Sequence, residues 1–203
     1  MERVITYVDG FNLYFGLKSH GWKRYYWLNI QKLARHLLKP NQQLVRTKYF
    51  TARVTDPPDK RERQETFIEA LQTLSDFDIF YGKYQLNPQK CRNCGFVAQV
   101  HNEKMSDVNI AVELLSDAFQ DRFDVALLIS GEGDLTTPVA RVQRLFPSKR
   151  IVIAFPPKRV SKDLTNVAAY SFVIGRRQIA KSQFPPEVRK PDGFVLKRPD
   201  KWQ

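Results

Sequence analysis

Asp124-Val-Ala-Leu-Leu-Ile-Ser-Gly-Glu-Gly-Asp134 is the stretch that decides the fold. Residues 125–129 form a short unbroken apolar run, the pattern of a strand buried on both faces. After Ser130, two glycines flank Glu132, and Asp134 follows. Glycine lets the backbone turn tightly and carries the acids to the tip of the turn. Pro138 falls in the first turn of the next segment, where a missing N–H does no harm. Val139, Val142 and Leu145 then recur at helical spacing. The order is buried strand, acidic turn, helix. In an open α/β sheet, sites form outside the carboxyl ends of such strands.

Working outward, residues 3–8 are rich in β-branched side chains and end in Asp9-Gly10, a strand and a turn. Residues 11–18 suit a turn or two of helix, with Asn12 near its start. Asn29 is placed to cap a helix whose apolar face is Ile30, Leu33, Ala34, Leu37 and Leu38, stopped by Lys39-Pro40. Residues 44–54 and 77–86 read as strands. Between them, a helix over 60–74 follows a turn, with Asp59 as its cap. Residues 87–95 read as a loop or knuckle, and 96–100 as a return strand. Ser106 is expected to cap a strong helix over 107–119. Residues 150–155 and 172–174 complete the strands, with a short helix capped by Ser161 between them. This alternation predicts an α/β fold with a mostly parallel sheet covered on both faces. The chain divides into a domain over 1–183, with a cysteine-containing knuckle at about 87–101, and a basic, proline-containing tail over 184–203. The tail lacks apolar periodicity and is expected to be extended.

The 203 residues are 42% hydrophobic and 12% aromatic, which supports a sizeable core and excludes wholesale disorder. Thirty-three lysines and arginines against 21 acids give a net charge of +12, a field that favours polyanions, nucleic acid first. No apolar run approaches membrane-spanning length. Two cysteines do not make a disulfide framework, so a soluble cytoplasmic protein is expected.

The acids then need an explanation. Asp9 ends the first strand, Asp107 opens a long helix, and Glu132 and Asp134 follow the strand over 125–129. If the two strands are neighbours, these acids share one crevice. Two carboxylates about 4 Å apart repel by roughly 4 kcal/mol at an effective dielectric of 20. Such a group is tolerable when protonated or bridged by cations, and hard oxygen donors suit Mg²⁺ or Mn²⁺. For each acid alone, a helix cap or turn former is the competing reading.

Tyr7-Val-Asp-Gly-Phe-Asn12, Glu103-Lys-Met-Ser-Asp-Val-Asn109 and Leu128-Ile-Ser-Gly-Glu-Gly-Asp-Leu135 resemble the three signatures of the NYN domain. This is a PIN-like nuclease group, and its LabA-like branch is the nearest match. The resemblance implies a Rossmann-like, three-layer α/β/α sandwich that hydrolyses phosphodiester bonds, usually of RNA, with a divalent metal. It implies Asp9, Asp107 and Asp134 as metal ligands, with Asn12 and Glu132 completing the catalytic set. Ser130 opens the turn, and Lys104 would reach phosphate. In-line attack would leave a 5′-phosphate and a 3′-hydroxyl. At Glu132-Gly133 the family more often has aspartate and serine. The added methylene leaves direct and water-mediated ligation both open.

Lys158, Arg159 and Lys162 follow a strand on the site side and are expected to bind substrate. Tyr25, Tyr26 and Trp27, interleaved with Lys23 and Arg24, are either a stacking surface or core. Cys91 and Cys94 have the spacing of half a zinc site, which needs two more ligands: His101 supplies at most one, a symmetric homodimer would bring two such pairs together, or the cysteines are free thiols. The histidines lie outside the acidic motifs, which disfavours a metal-free acid–base mechanism. The expected function is a metal-dependent ribonuclease acting on single-stranded RNA. DNA stands beside RNA, because a metal-bound water requires no 2′-hydroxyl. The alternative is a nucleic-acid-binding module on the same fold.

Overall fold

The computed structural model describes residues 1–90 and 93–202, and the side chains of all of these except 84–87, 89–90 and 98–103. The strands are β1 (Glu2–Asp9), β2 (Gln42–Thr51), β3 (Phe77–Tyr81), β4 (Lys83–Lys90), β5 (Val97–Lys104), β6 (Val125–Ile129), β7 (Arg150–Phe155), β8 (Tyr170–Val173), β9 (Glu187–Arg189) and β10 (Val195–Lys197). The helices are α1 (Gly10–Ser19), α2 (Ile30–Leu37), α3 (Pro58–Gln72), α4 (Ser106–Phe119), α5 (Thr136–Leu145), α6 (Lys162–Val167) and α7 (Arg176–Lys181).

Six strands form one sheet in the order β3-β2-β1-β6-β7-β8. All five pairings are parallel. Side-chain alternation splits the interior into two cores. Val4 and Val8 of β1 and Val125, Leu127 and Ile129 of β6 pack with residues of α1, α2 and α3. Ile5, Tyr7, Ala126 and Leu128 pack against α4, α5 and α6. The result is the expected three-layer α/β/α sandwich. Connections run outward in both directions from the β1/β6 pair. That pair is the switch point, where the crevice of such a sheet opens.

Several local expectations hold. Asn29 Oδ1 accepts from the Lys32 N–H at 2.8 Å, and Ser161 Oγ accepts from the Leu164 N–H. Others differ. Ser106 does not cap α4; it is the first helical residue, preceded by Met105 at φ 80°, and its buried Oγ has no protein partner. Asp59 lies inside the first turn of α3, where it pairs with Arg63 and Lys201. The strand-like run over 77–86 breaks at Gly82. Its second half belongs to an antiparallel hairpin, β4–β5, so strand replaces the expected loop as far as Lys90.

The segment from Phe184 also departs from the extended arm. β9 and β10 form an antiparallel ribbon. Phe184, Val188, Leu196 and Trp202 are buried in the α1–α3 core. Trp27 organises this return: its Nε1 donates to the Pro185 carbonyl at 2.7 Å, and its own carbonyl accepts from the Phe184 N–H. Apolar residues without periodicity can still be buried when each meets its own pocket.

A bidentate pair ties the start of β1 to the residue before β6, with Arg3 Nη2 2.8 Å from Asp124 Oδ1 and Arg3 Nε 3.2 Å from Oδ2. Hydrogen bonds from Arg3 hold the Asp124 carboxyl at about 2. A lowered folded value stabilises above the unfolded value, and that stabilisation disappears as pH falls through about 2. Both side chains are some 40% exposed, so solvent screening keeps the pair's contribution small. Asp124→Asn is expected to lower the urea midpoint slightly at pH 6 and to converge with the parent near pH 2.

Candidate active site

Asp9 and Ser130 stand at the carboxyl ends of adjacent strands, just past the Val8–Ile129 pair. The pleat sends both toward the α4 layer, Asp9 after Ile5 and Tyr7, Ser130 after Ala126 and Leu128. Asp9 is 3% exposed. Its Oδ1 accepts from the Asn12 N–H at 2.9 Å, which makes it the N-cap of α1. Its Oδ2 accepts from Ser130 Oγ–H at 3.0 Å. The Ser130 hydroxyl in turn accepts from the Glu132 N–H at 3.1 Å.

Asn12 is the joint between the two turns. Its Nδ2 donates to Glu132 Oε1 at 2.6 Å, and its Oδ1 accepts from the Gly131 N–H at 3.0 Å. One buried side chain therefore fixes the first acid's helix and the orientation of Glu132. Asp107, in the first turn of α4, and Asp134, in the 3₁₀ turn Gly133–Leu135, complete the group as α4 packs beside that turn.

The charges are felt across the group. Burial pushes the Asp9 carboxyl up to about 7, opposed by the hydrogen bonds from Asn12 and Ser130 and reinforced by the negative charges of Asp107 and Glu132. Burial also raises Asp107, and the charges of Glu132 and Asp134 raise it further. The assembled acids are thus short of positive charge. Among the described residues, no three His, Cys, Asp or Glu side chains are drawn together closely enough to hold an ion by themselves.

The basic residues arrive from different directions. The Gly131 backbone lies against that of Arg159, and a Cβ at Gly131 would come within 1.7 Å of the Arg159 carbonyl oxygen. The Arg159 guanidinium lies 5.8 Å from the Phe15 ring centre. Lys158 turns away, its Nζ donating to the Ser19 carbonyl at the far end of α1. Lys162 opens α6, which packs beside the 3₁₀ turn, and Lys104 is exposed just before α4. Trp27 is core, and Tyr26 lines an aromatic pocket beside α1. Cys91 lies outside the described residues; Cys94 is an exposed free thiol. Gly131→Ala is expected to destabilise by about 1–3 kcal/mol, because the clash is with backbone and no side chain can rotate away. A urea midpoint equal to the parent's would contradict this packing.

Signals for the aromatic pocket were faint in the sequence. Tyr14, Phe67 and Trp202 sit in three unrelated segments, and Trp202 lies in a stretch without periodicity.

Likenesses to two known proteins and to one family bear on this architecture. The 6-hydroxy-3-succinoylpyridine 3-monooxygenase HspA of Pseudomonas putida is 25% identical over 244 aligned positions, which cover 98% of this chain and 75% of that protein. A Vibrio parahaemolyticus protein of unknown function superposes with a TM-score of 0.56 at 19% identity, over 86% of this chain and 94% of that one; this is a likeness of fold alone. No helix among the described residues is long and apolar enough to cross a membrane. Residues 3–175 match the NYN domain model, a span that takes in the six-stranded sheet but for Glu2 and includes all four acids, and the chain belongs to this family, whose members are generally nucleases.

Proposed function

We propose that this protein is a ribonuclease that uses Mg²⁺ or Mn²⁺ to hydrolyse phosphodiester bonds of single-stranded RNA. The observation that carries the reading is the convergence of Asp9, Asp107, Glu132 and Asp134 at the switch point, with the first two carboxyls raised partly by their neighbours' charge. The donor set fits a hard divalent ion. Asp9, Asp107 and Asp134 would hold it, and the ion would supply a water of lowered pKa and neutralise charge on the attacked phosphate. Mg²⁺ commonly keeps several waters and takes only one or two carboxylates plus substrate phosphate, so a closed cage of three protein acids is not required.

The chain's own groups divide the remaining work. Ser130 and the Asn12 N–H hold the Asp9 carboxylate in place. Asn12 fixes Glu132 through Oε1 and leaves Oε2 to accept a proton from water. Lys104, Arg159 and Lys162 would hold the phosphates of the strand, with Lys158 farther along α1. A second reading, a binding module that does not cut, is favoured by the spread of the acids and by the bond that already occupies one Glu132 oxygen.

The test is cleavage of end-labelled single-stranded RNA. We expect cutting with Mg²⁺ or Mn²⁺ and none after chelation. Asp134 is exposed, so Asp134→Asn should leave the fold and RNA affinity intact while slowing cleavage by about 10²-fold or more. Cutting that survives chelation, or an Asp134→Asn variant of parental rate, would remove the proposed site. RNA bound but left uncut by the parent protein would favour the second reading.

A further inference from the structure

A cavity of about 610 Å³ lies on the other side of α1 from the acids. Gly10, Phe11, Leu13 and Tyr14 line it, while Asn12 of the same helix turns to the acidic group. Its walls are aromatic. Tyr14 and Tyr26 have ring centres 5.0 Å apart, Tyr26 and Trp202 5.8 Å, and Phe67 and Trp202 6.1 Å. Its rim carries net positive charge: Lys18, Lys23, Lys60, Arg63 and Lys201 border it, with Asp56 among the lining residues and Asp59 paired to both Arg63 and Lys201. Tyr14 lines the cavity and is 37% exposed, so part of it is reachable from solvent. The proposed ribonuclease site uses none of these side chains.

We propose that this pocket binds a nucleobase together with its phosphate, and that it is the subsite that anchors the single-stranded RNA crossing the N-terminal end of α1 into the acidic site. The inference rests on the ribonuclease reading for the last clause only. The shape and charge favour this occupant. Sites of roughly 300–1,000 Å³ with aromatic walls and a few polar groups take flat organic ligands. Proteins that hold single strands combine stacking rings with a cationic track for the backbone. An α-helix is about 10–12 Å across with its side chains, a width that a few nucleotides of a single strand span. A base held here would set how far along the chain the cut falls. That is a ruler.

The test measures binding in EDTA, where no cutting can occur, by calorimetry and tryptophan fluorescence. The probes are AMP, ribose 5-phosphate, pyridine-3-carboxylate and a single-stranded RNA 12-mer. AMP is expected to bind at least tenfold more tightly than ribose 5-phosphate. Tyr14→Ala should weaken both AMP and the 12-mer about tenfold. Lys60→Glu should weaken the 12-mer and reduce the magnitude of its log–log salt slope by about 0.7. Equal affinity for AMP and ribose 5-phosphate would overturn the proposal, as would a 12-mer indifferent to both variants. Pyridine-3-carboxylate binding as tightly as AMP would also overturn it, in favour of a pocket for small aromatic acids. AMP binding lost in Tyr14→Ala with the 12-mer unaffected would place free nucleotide, and not a strand, in the pocket. Failure of the parent to cleave RNA, with these affinities as expected, would end the ribonuclease reading and leave the pocket standing.

Discussion

Asp9→Asn should make the metal-free protein more stable and, on the proposed ribonuclease reading, slow RNA cleavage steeply. The Asp9 carboxyl is buried and raised to about 7, whereas in the unfolded chain it titrates near 4. The folded state therefore holds its proton more tightly. Stability falls as pH rises from about 4 to about 7, and the full penalty persists above that range. A rise from about 4 to about 7 corresponds to at most about 4 kcal/mol, and relaxation of the site brings the expected gain to roughly 2–4 kcal/mol. Asparagine keeps an oxygen for the Asn12 N–H and can donate to Ser130 Oγ, so the cap survives. In EDTA, the urea midpoint of Asp9→Asn should exceed the parent's at pH 8 and approach it at pH 4. Added Mg²⁺ should stabilise the parent and not the variant, while RNA cleavage drops by about 10²–10³-fold. A pH-independent difference between the two proteins would show that Asp9 is not a buried carboxylate kept at a cost for function.

The second large effect lies beneath the site. Lys48 of β2 is 2% exposed, and its Nζ lies 2.6 Å from both Asp117 Oδ2 and Glu113 Oε2 of α4. Asp117 is fully buried and also accepts from Tyr7 Oη–H at 2.5 Å. Burial and the Asp117 charge hold the Tyr7 hydroxyl well above its ordinary value, so it stays a donor. This cluster clamps α4, the helix that carries Asp107, onto the sheet. Lys48→Met leaves Asp117 buried without its main countercharge and is expected to cost about 3–5 kcal/mol. The triple variant Lys48→Met, Asp117→Leu, Tyr7→Phe removes the buried members and leaves Glu113 and Arg122, which both reach solvent, so it should recover much of that loss. Denaturant midpoints of the two variants check this. A single-variant loss below about 1 kcal/mol would mean that Arg122, which also reaches Asp117, is a sufficient partner.

Much of the architecture was legible because burial on both faces writes unbroken apolar runs, as in residues 125–129, and because Asn29 and Ser161 announce their helices through local chemistry. Local chemistry also misled. Ser106 has the right residue type for a cap, yet the chain enters α4 through a left-handed Met105 and the serine becomes the first helical residue. Asp59 looked like a cap because sequence cannot reveal that Lys201, 142 positions away, pairs with it.

The sequence by itself determined the parallel sheet, its two apolar faces and the placement of Asp9 and Ser130 at strand ends, since these follow from periodicity and turn chemistry within a few residues. Only the tertiary structure decided that β1 and β6 are neighbours, that Asn12 ties their turns together, that Lys48 is buried between two acids, and that Trp202 closes an aromatic pocket. Those are pairings between groups far apart along the chain, and they arise when packing brings charges and rings into a shared low-dielectric space that no local window contains.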